Sequence, residues 1–173
     1  MPTIVSHPAI PLALVIGLSP ELNTNLLVAG VICSVLPDID VVGFGFGIHY
    51  GGLFGHRGFT HSLFFAVVIA GLFTWMLLGK GGPNPWITFL FLFVCSASHG
   101  LLDAMTNGGL GISFFSPFSN QRYFLKWRPI DVSPIGIYGF FSDGGLHVLR
   151  SELQWVWLPS TILGIVLYVF RRV

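Results

Sequence analysis

The sequence predicts an all-α polytopic membrane protein of four to five hydrophobic helices, with a metal site at one membrane face. Three observations lead there. Of 173 residues, 53% are hydrophobic, 17 are Phe, 5 are Trp and only 9% are charged, and the mean hydropathy of +0.80 is too apolar for a soluble core of this size. The apolar residues fall in runs separated by Gly- and Pro-rich breaks, the pattern of successive helices joined by turns. The polar minority is concentrated. Gly55-His56-Arg57-Gly58-Phe59-Thr60-His61-Ser62 leads directly into the apolar run 64–78, where each unpaired polar group costs several kcal/mol and polar groups are kept for function.

The length fits one membrane-embedded domain spanning 1–173. A formal net charge of +1 offers nothing to nucleic acid. Cys33 and Cys95 lie inside apolar runs, where free thiols behave as small hydrophobes. The first residues lack the Lys or Arg of a signal-peptide n-region, so insertion is expected to use the internal helices.

The elements follow in order. After a short lead, residues 8–18 form a first apolar helix with Pro8 and Pro11 in its tolerant first turn. A turn at 19–23 precedes a second apolar segment, 25–36, which stops at Pro37. Both are shorter than the roughly 20 residues of a simple span, so they read as two short helices or a re-entrant hairpin. Residues 41–55 form a glycine-rich connector holding His49 and Tyr50, and 59–78 is the clearest span. A Gly/Pro loop at 79–85 leads to the next span, 86–105, with Ser98, His99 and Asp103 in its last third. Residues 107–154 are long and polar-tolerant. A final span, 155–170, has Trp155 and Trp157 at one end and Arg171-Arg172 at the other, as interface anchors should be.

Threading these segments through a bilayer puts His7, Asp38, Asp40, His56, His61, His99, Asp103 and Asp131 on one face and Lys80 with Arg171-Arg172 on the other. His99 and Asp103, four apart on a helix, share one side and can share an ion. Imidazole with carboxylate is the ligand set of zinc and, less exclusively, of manganese or iron. Seven candidate ligands, His7, Asp38, Asp40, His56, His61, His99 and Asp103, exceed one tetrahedral site, so one or two ions are expected. Such a site suits hydrolysis of a phosphoester by metal-activated water. In that chemistry Asp40 takes or orients the proton and Arg57 steadies the developing charge. Arg57, Arg122 and Arg128, with Lys126, are candidates to hold an anionic headgroup, and the depth of His99 in its helix points to a phospholipid or lipid-linked substrate.

The blocks Ser6-His7, Leu36-Pro37-Asp38-Ile39-Asp40, His56-Arg57-Gly58-Phe59-Thr60-His61-Ser62 and Ser98-His99-Gly100-Leu101-Leu102-Asp103, followed by Thr106 and Gly109, resemble the signature of the YdjM-like bacterial inner-membrane proteins, described as metal-dependent hydrolases. The resemblance runs from Ser6 to about Pro129. It implies a multi-pass protein of the bacterial inner membrane, a hydrolase with those His and Asp residues as metal ligands. The His-x-x-x-Asp pair is also similar to one in zinc-dependent phospholipase C and P1-type nucleases.

Other readings compete. The same residues can serve a divalent-cation or proton transporter, which predicts ligands spread through the depth of the bundle, or one structural ion closed by four ligands. His49 and His147 read as interface residues. Arg122, Lys126 and Arg128 can equally snorkel toward lipid phosphates in general. The Lys/Arg count of the loops favours a cytoplasmic site until the functional charges are discounted, which leaves orientation near a tie.

Overall fold

The structure, a computed structural model, describes residues 1–18, 24–79, 84–133 and 143–172. Among them the architecture is all-helical, with only two isolated β-bridges, Thr106 with Ile130 and Ile112 with Tyr123. Helices α1 (Ala9–Leu18), α2 (Thr24–Val35), α3 (Leu63–Leu77), α4 (Pro85–Ala104), α5 (Asp143–Glu152) and α6 (Leu158–Arg172) follow in chain order. Three helical stretches are long and apolar enough to cross a membrane, Thr24–Phe46, Pro85–Ala104 and Gly144–Arg172, and α1 and α3 are shorter apolar helices.

The helix starts follow local chemistry. The Ser62 hydroxyl accepts from the Phe65 N–H at 3.0 Å and caps α3, and the Asn84 side chain accepts from Trp86 N–H at 2.8 Å while Pro85 occupies the first turn of α4. Two boundaries differ from the sequence expectation. The segment expected to stop at Pro37 runs on as 3-10 turns from Leu36 to Phe46, ending at Gly47 with φ 77. Pro37 sits in the first turn of that new segment, where its missing N–H costs little. This makes one long stretch of α2 and half of the expected connector. Helix α5 begins at Asp143, inside the region read as polar-tolerant, and joins α6 through a π turn at Leu153–Trp157. The segment 134–142 and Lys80 lie outside the described residues.

Helix α4 is the centre. Phe91, Leu92 and Cys95 pack with Leu26, Ala29 and Cys33 of α2 and Ala70 of α3 in the main core. Helix α1 lies against α6 at a contact made by small residues: a Cβ on Gly17 would come within 2.5 Å of Leu167 Cβ, and one on Gly164 within 3.1 Å of the Ala13 carbonyl oxygen. Backbones that approach this closely are how apolar helices associate without a hydrophobic drive. Large side chains such as Trp75, Trp86 and Phe170 stay exposed, as lipid-facing residues do.

Candidate metal centre

Four pieces of chain converge at one end of α4. His99 and Asp103 come from its last turns, Asp38 and Asp40 from the 3-10 segment, His56 and Arg57 from the loop before α3, and His61 from a short 3-10 turn, Phe59–His61. Gly100 lets them meet, because a Cβ there would stand 2.9 Å from the His61 carbonyl oxygen. Arg57 has φ 65, a left-handed conformation that costs a non-glycine residue about 1–3 kcal/mol; it turns the Arg57 N–H toward Asp40 Oδ2, 3.2 Å away.

The seven predicted ligands are all buried, and six of them, all but His7, form two groups that share His61. The first is Asp38, His61, His99 and Asp103, and the second is Asp40, His56 and His61. In the first group His61 Nε2 lies 3.1 Å from His99 Nε2, 3.4 Å from Asp103 Oδ2 and 3.6 Å from Asp38 Oδ1, and His99 Nε2 is 3.3 Å from Asp38 Oδ1. Ligand atoms about 2.0–2.1 Å from one tetrahedral ion are about 3.3 Å apart, so these spacings match the edges of such a site. His99 Nδ1 lies 2.7 Å from the Ser34 carbonyl oxygen. That oxygen can only accept, so Nδ1 carries the proton and Nε2 presents its lone pair to the cluster.

Both oxygens of Asp38 and of Asp103, and both nitrogens of His7, are buried without a hydrogen-bond partner. The carboxylates of Asp38 and Asp103 converge with His61 and His99, and an ion there would satisfy their orphaned oxygens. Charge agrees: three buried carboxylates, Asp38, Asp40 and Asp103, face one buried guanidinium, Arg57, an anionic excess that a divalent cation balances. Burial opposes protonation of His61, yet the nearby carboxylates of Asp103, Asp38 and Asp40 outweigh it and raise this imidazole well above its ordinary pKa, so in the metal-free chain His61 carries part of the missing positive charge. His7 stacks on His99 with ring centroids 3.7 Å apart. Burial first, then the neighbouring His99, pushes it down to about 3, and it stays neutral beside the four-ligand group.

Asp40 is tied from every side. Its Oδ1 meets His56 Nδ1 at 2.7 Å, and its Oδ2 accepts from Thr60 Oγ1 at 2.6 Å and lies 3.2 Å from His61 Nδ1. It therefore orients both imidazoles, the outer-shell carboxylate that metal-binding histidines usually have. Arg57 places Nε 3.3 Å from Asp103 Oδ2 and donates to Thr106 Oγ1, Gly108 O and Leu110 O, so it holds Asp103 and the loop after α4 together.

The other predicted residues lie apart. Arg122 donates to the carbonyls of His56, Gly111, Tyr50 and Gly52 and clamps the loops around the site. Arg128 is exposed, with its guanidinium 4.6 Å over the Phe124 ring, and Lys126 is exposed beside it. Asp131 accepts from Asn107 Nδ2 at 2.7 Å, outside the cluster. His49 and His147 are exposed. Sequence reasoning assigned no role to Thr60 or Thr106, although both stand inside the quoted blocks, and it passed over Glu152. That carboxylate is 1% exposed and accepts from Thr3 N–H, from Thr3 Oγ1 at 2.6 Å and from Ser6 Oγ at 2.7 Å. Ser6 is the neighbour of His7, so Glu152 fixes the strand that carries this histidine. Its place three residues before the final apolar span, 155–170, was the available signal, because a carboxylate at that border needs partners.

A family model described as YdjM inner membrane protein matches residues 1–173. The chain is 43% identical to the inner membrane protein YbcI of Escherichia coli (strain K12) over 175 residues, which cover 99% of this chain and 100% of that protein. No solved structure matches it.

Proposed function

The chain belongs to the YdjM inner membrane protein family, and from that premise we propose that it is a metal-dependent hydrolase of the inner membrane that cleaves a phosphoester of a phospholipid or lipid-linked substrate. The observation that carries the reading is the four-ligand group with its orphaned carboxylates and anionic excess. Asp38, His61, His99 and Asp103 would hold one ion, zinc by its ligand set and manganese or iron as second choices. When bound, that cation supplies Lewis acidity and lowers the pKa of a water.

The chain's own residues do the rest. Asp40 grips His56 through Nδ1, which leaves Nε2 of His56 as the proton acceptor and makes Asp40 the group that stabilises the resulting imidazolium. Arg57 Nε, 3.3 Å from Asp103 Oδ2, holds that carboxylate in place. The least buried of these residues are Asp38 and Asp40, 7% and 8% exposed, which favours an approach of substrate from the side of the 3-10 segment. Arg128 and Lys126 are exposed but stand apart from the cluster, so a headgroup role for them is outside what the site's geometry supports. The apolar core around Leu26, Leu92 and Cys95 lies along α4 below the cluster, which argues for a site at one end of the bundle over a transport pathway through it.

A structural ion is the second reading, because four protein ligands can close a tetrahedron with no position left for water. Metal analysis before and after chelation, with assay on phospholipids and lipid-linked phosphates, separates the two. A catalytic ion exchanges reversibly and hydrolysis follows its loading. An ion released only as the protein unfolds, with no hydrolysis of any of these substrates, would leave the structural role.

A further inference from the structure

The long helix Gly144–Arg172 carries a surface recess of about 610 Å³ that, among the described residues, is lined by Arg150, Leu153, Gln154, Trp157, Leu158 and Thr161. These positions recur every three to four residues and so form one face, running through the π turn at Leu153–Trp157. Such turns are frequent at functional sites. Arg150, Leu153, Gln154, Leu158 and Thr161 are all exposed. Trp157 is half-buried and its indole N–H donates to Ser6 Oγ at 3.2 Å, which holds the ring as a fixed wall.

Depth and charge identify the occupant. At 1.5 Å per residue Arg150 lies about 33 Å along the helix axis from Arg172, close to the roughly 30 Å thickness of the hydrocarbon. With Arg171-Arg172 at one boundary, Arg150 therefore stands at the other, at the level of lipid phosphates. From there the recess runs about 16 Å toward Thr161, the depth of one leaflet, and its walls are Leu153, Trp157 and Leu158. None of the ion pairs formed among the described residues involves Arg150. Among the described residues the recess has no acidic lining residue; Glu152 is buried and turned to Thr3 and Ser6, and the Asp131 carboxylate accepts from Asn107. A zwitterionic headgroup would bring an ammonium with no partner, whereas an anionic one brings only what the guanidinium matches.

We propose that this recess binds one anionic phospholipid of the bilayer, its phosphate on Arg150 and Gln154 and an acyl chain along Leu153, Trp157 and Leu158. The lipid site is distinct from the metal centre and stands whether or not that centre is catalytic.

Native mass spectrometry of the full chain, released from detergent in the presence of phosphatidylglycerol or phosphatidylcholine, tests it. The wild type should retain one phosphatidylglycerol in preference to phosphatidylcholine. Arg150→Gln should lower that retention about fivefold, the value of one cation at the membrane surface. Thr161→Trp, which fills the recess and leaves the charge, should lower retention as well. Equal retention of the two lipids, an unchanged Arg150→Gln, or an unchanged Thr161→Trp would each overturn the proposal.

Discussion

Helix α4 and the long helix Gly144–Arg172 are both apolar enough to cross a membrane, yet 61% of the most apolar window of α4 is buried within the protein against 17% for the other. The same composition thus serves two solvents. The apolar side chains of α4 pack on α2 and α3, and that helix can carry His99 and Asp103 into the interior because other elements surround and ligate them. The last helix turns most of its side chains to lipid, and its polar contributions, Glu152 and Arg150, sit near its start, the first buried and the second exposed. A polar group within a span is tolerated where protein encloses it, and near the boundary where water or headgroups reach it.

The contrast breaks first at the candidate metal centre. Alanine at His99 or Asp103 should abolish metal retention, measured by inductively coupled plasma mass spectrometry, and Asp103→Ala should in addition cost about 3–5 kcal/mol by leaving Arg57 buried without its partner, read as a fall in the thermal midpoint in detergent. Retained metal in both variants would remove the site. The packing difference comes next: Leu92→Ala in α4, a fully buried position, should cost about 2–5 kcal/mol, whereas Ile162→Ala on the lipid side, 52% exposed, should stay within about 0.5 kcal/mol. Equal losses in reversible unfolding would mean that the last helix is packed by protein after all.

Thr60→Val, which removes the hydroxyl that donates to Asp40 and leaves every ligand in place, should weaken metal affinity by about 10- to 100-fold, measured by chelator competition. The smallest effect is on acidity. With His61 raised in the metal-free chain, the stability it contributes is fully present below its ordinary pKa near 6.5 and is lost as pH climbs through the raised value. Chelator-treated protein should therefore lose thermal stability toward alkaline pH, and the metal-loaded protein, whose His61 has already surrendered its proton, should lose less. Identical pH profiles would mean that the ion does not reach His61.

Much of this was legible in the sequence. Apolar runs found α3 and α4 to within a few residues, since long periodic or continuous runs are the strongest local signal. The one-sided placement of His and Asp anticipated the gathering of six of the seven proposed ligands, with His7 stacked on His99 beside them and Asp131 left outside. What escaped depends on contacts between distant residues. The division of the cluster around His61 follows from Gly100 admitting the His61 backbone, which no spacing reveals. Arg122 reads as a headgroup ligand from its charge, but its donors are taken by four carbonyls of the 50–56 and 111 backbone, and backbone acceptors carry no sequence mark. The start of α5 is missed because two glycines and an aspartate open it, a weak local preference that packing of Val148 and Glu152 overrides.

The close seam between α1 and α6, where Ala13, Gly17 and Gly164 nearly touch, sets a timetable for biosynthesis. Helix α1 leaves the ribosome ahead of its partner, which follows about 140 residues later, a wait of roughly seven to thirty seconds at ordinary translation rates. Ser6, on which Glu152 and Trp157 converge, waits with it, and so does the adjoining His7. The nascent protein can assemble α2, α3 and α4 around the other ligands early, but the imidazole stacked on His99 settles only when the last helix arrives, so the newborn centre stays open on that side until synthesis of α6 is done.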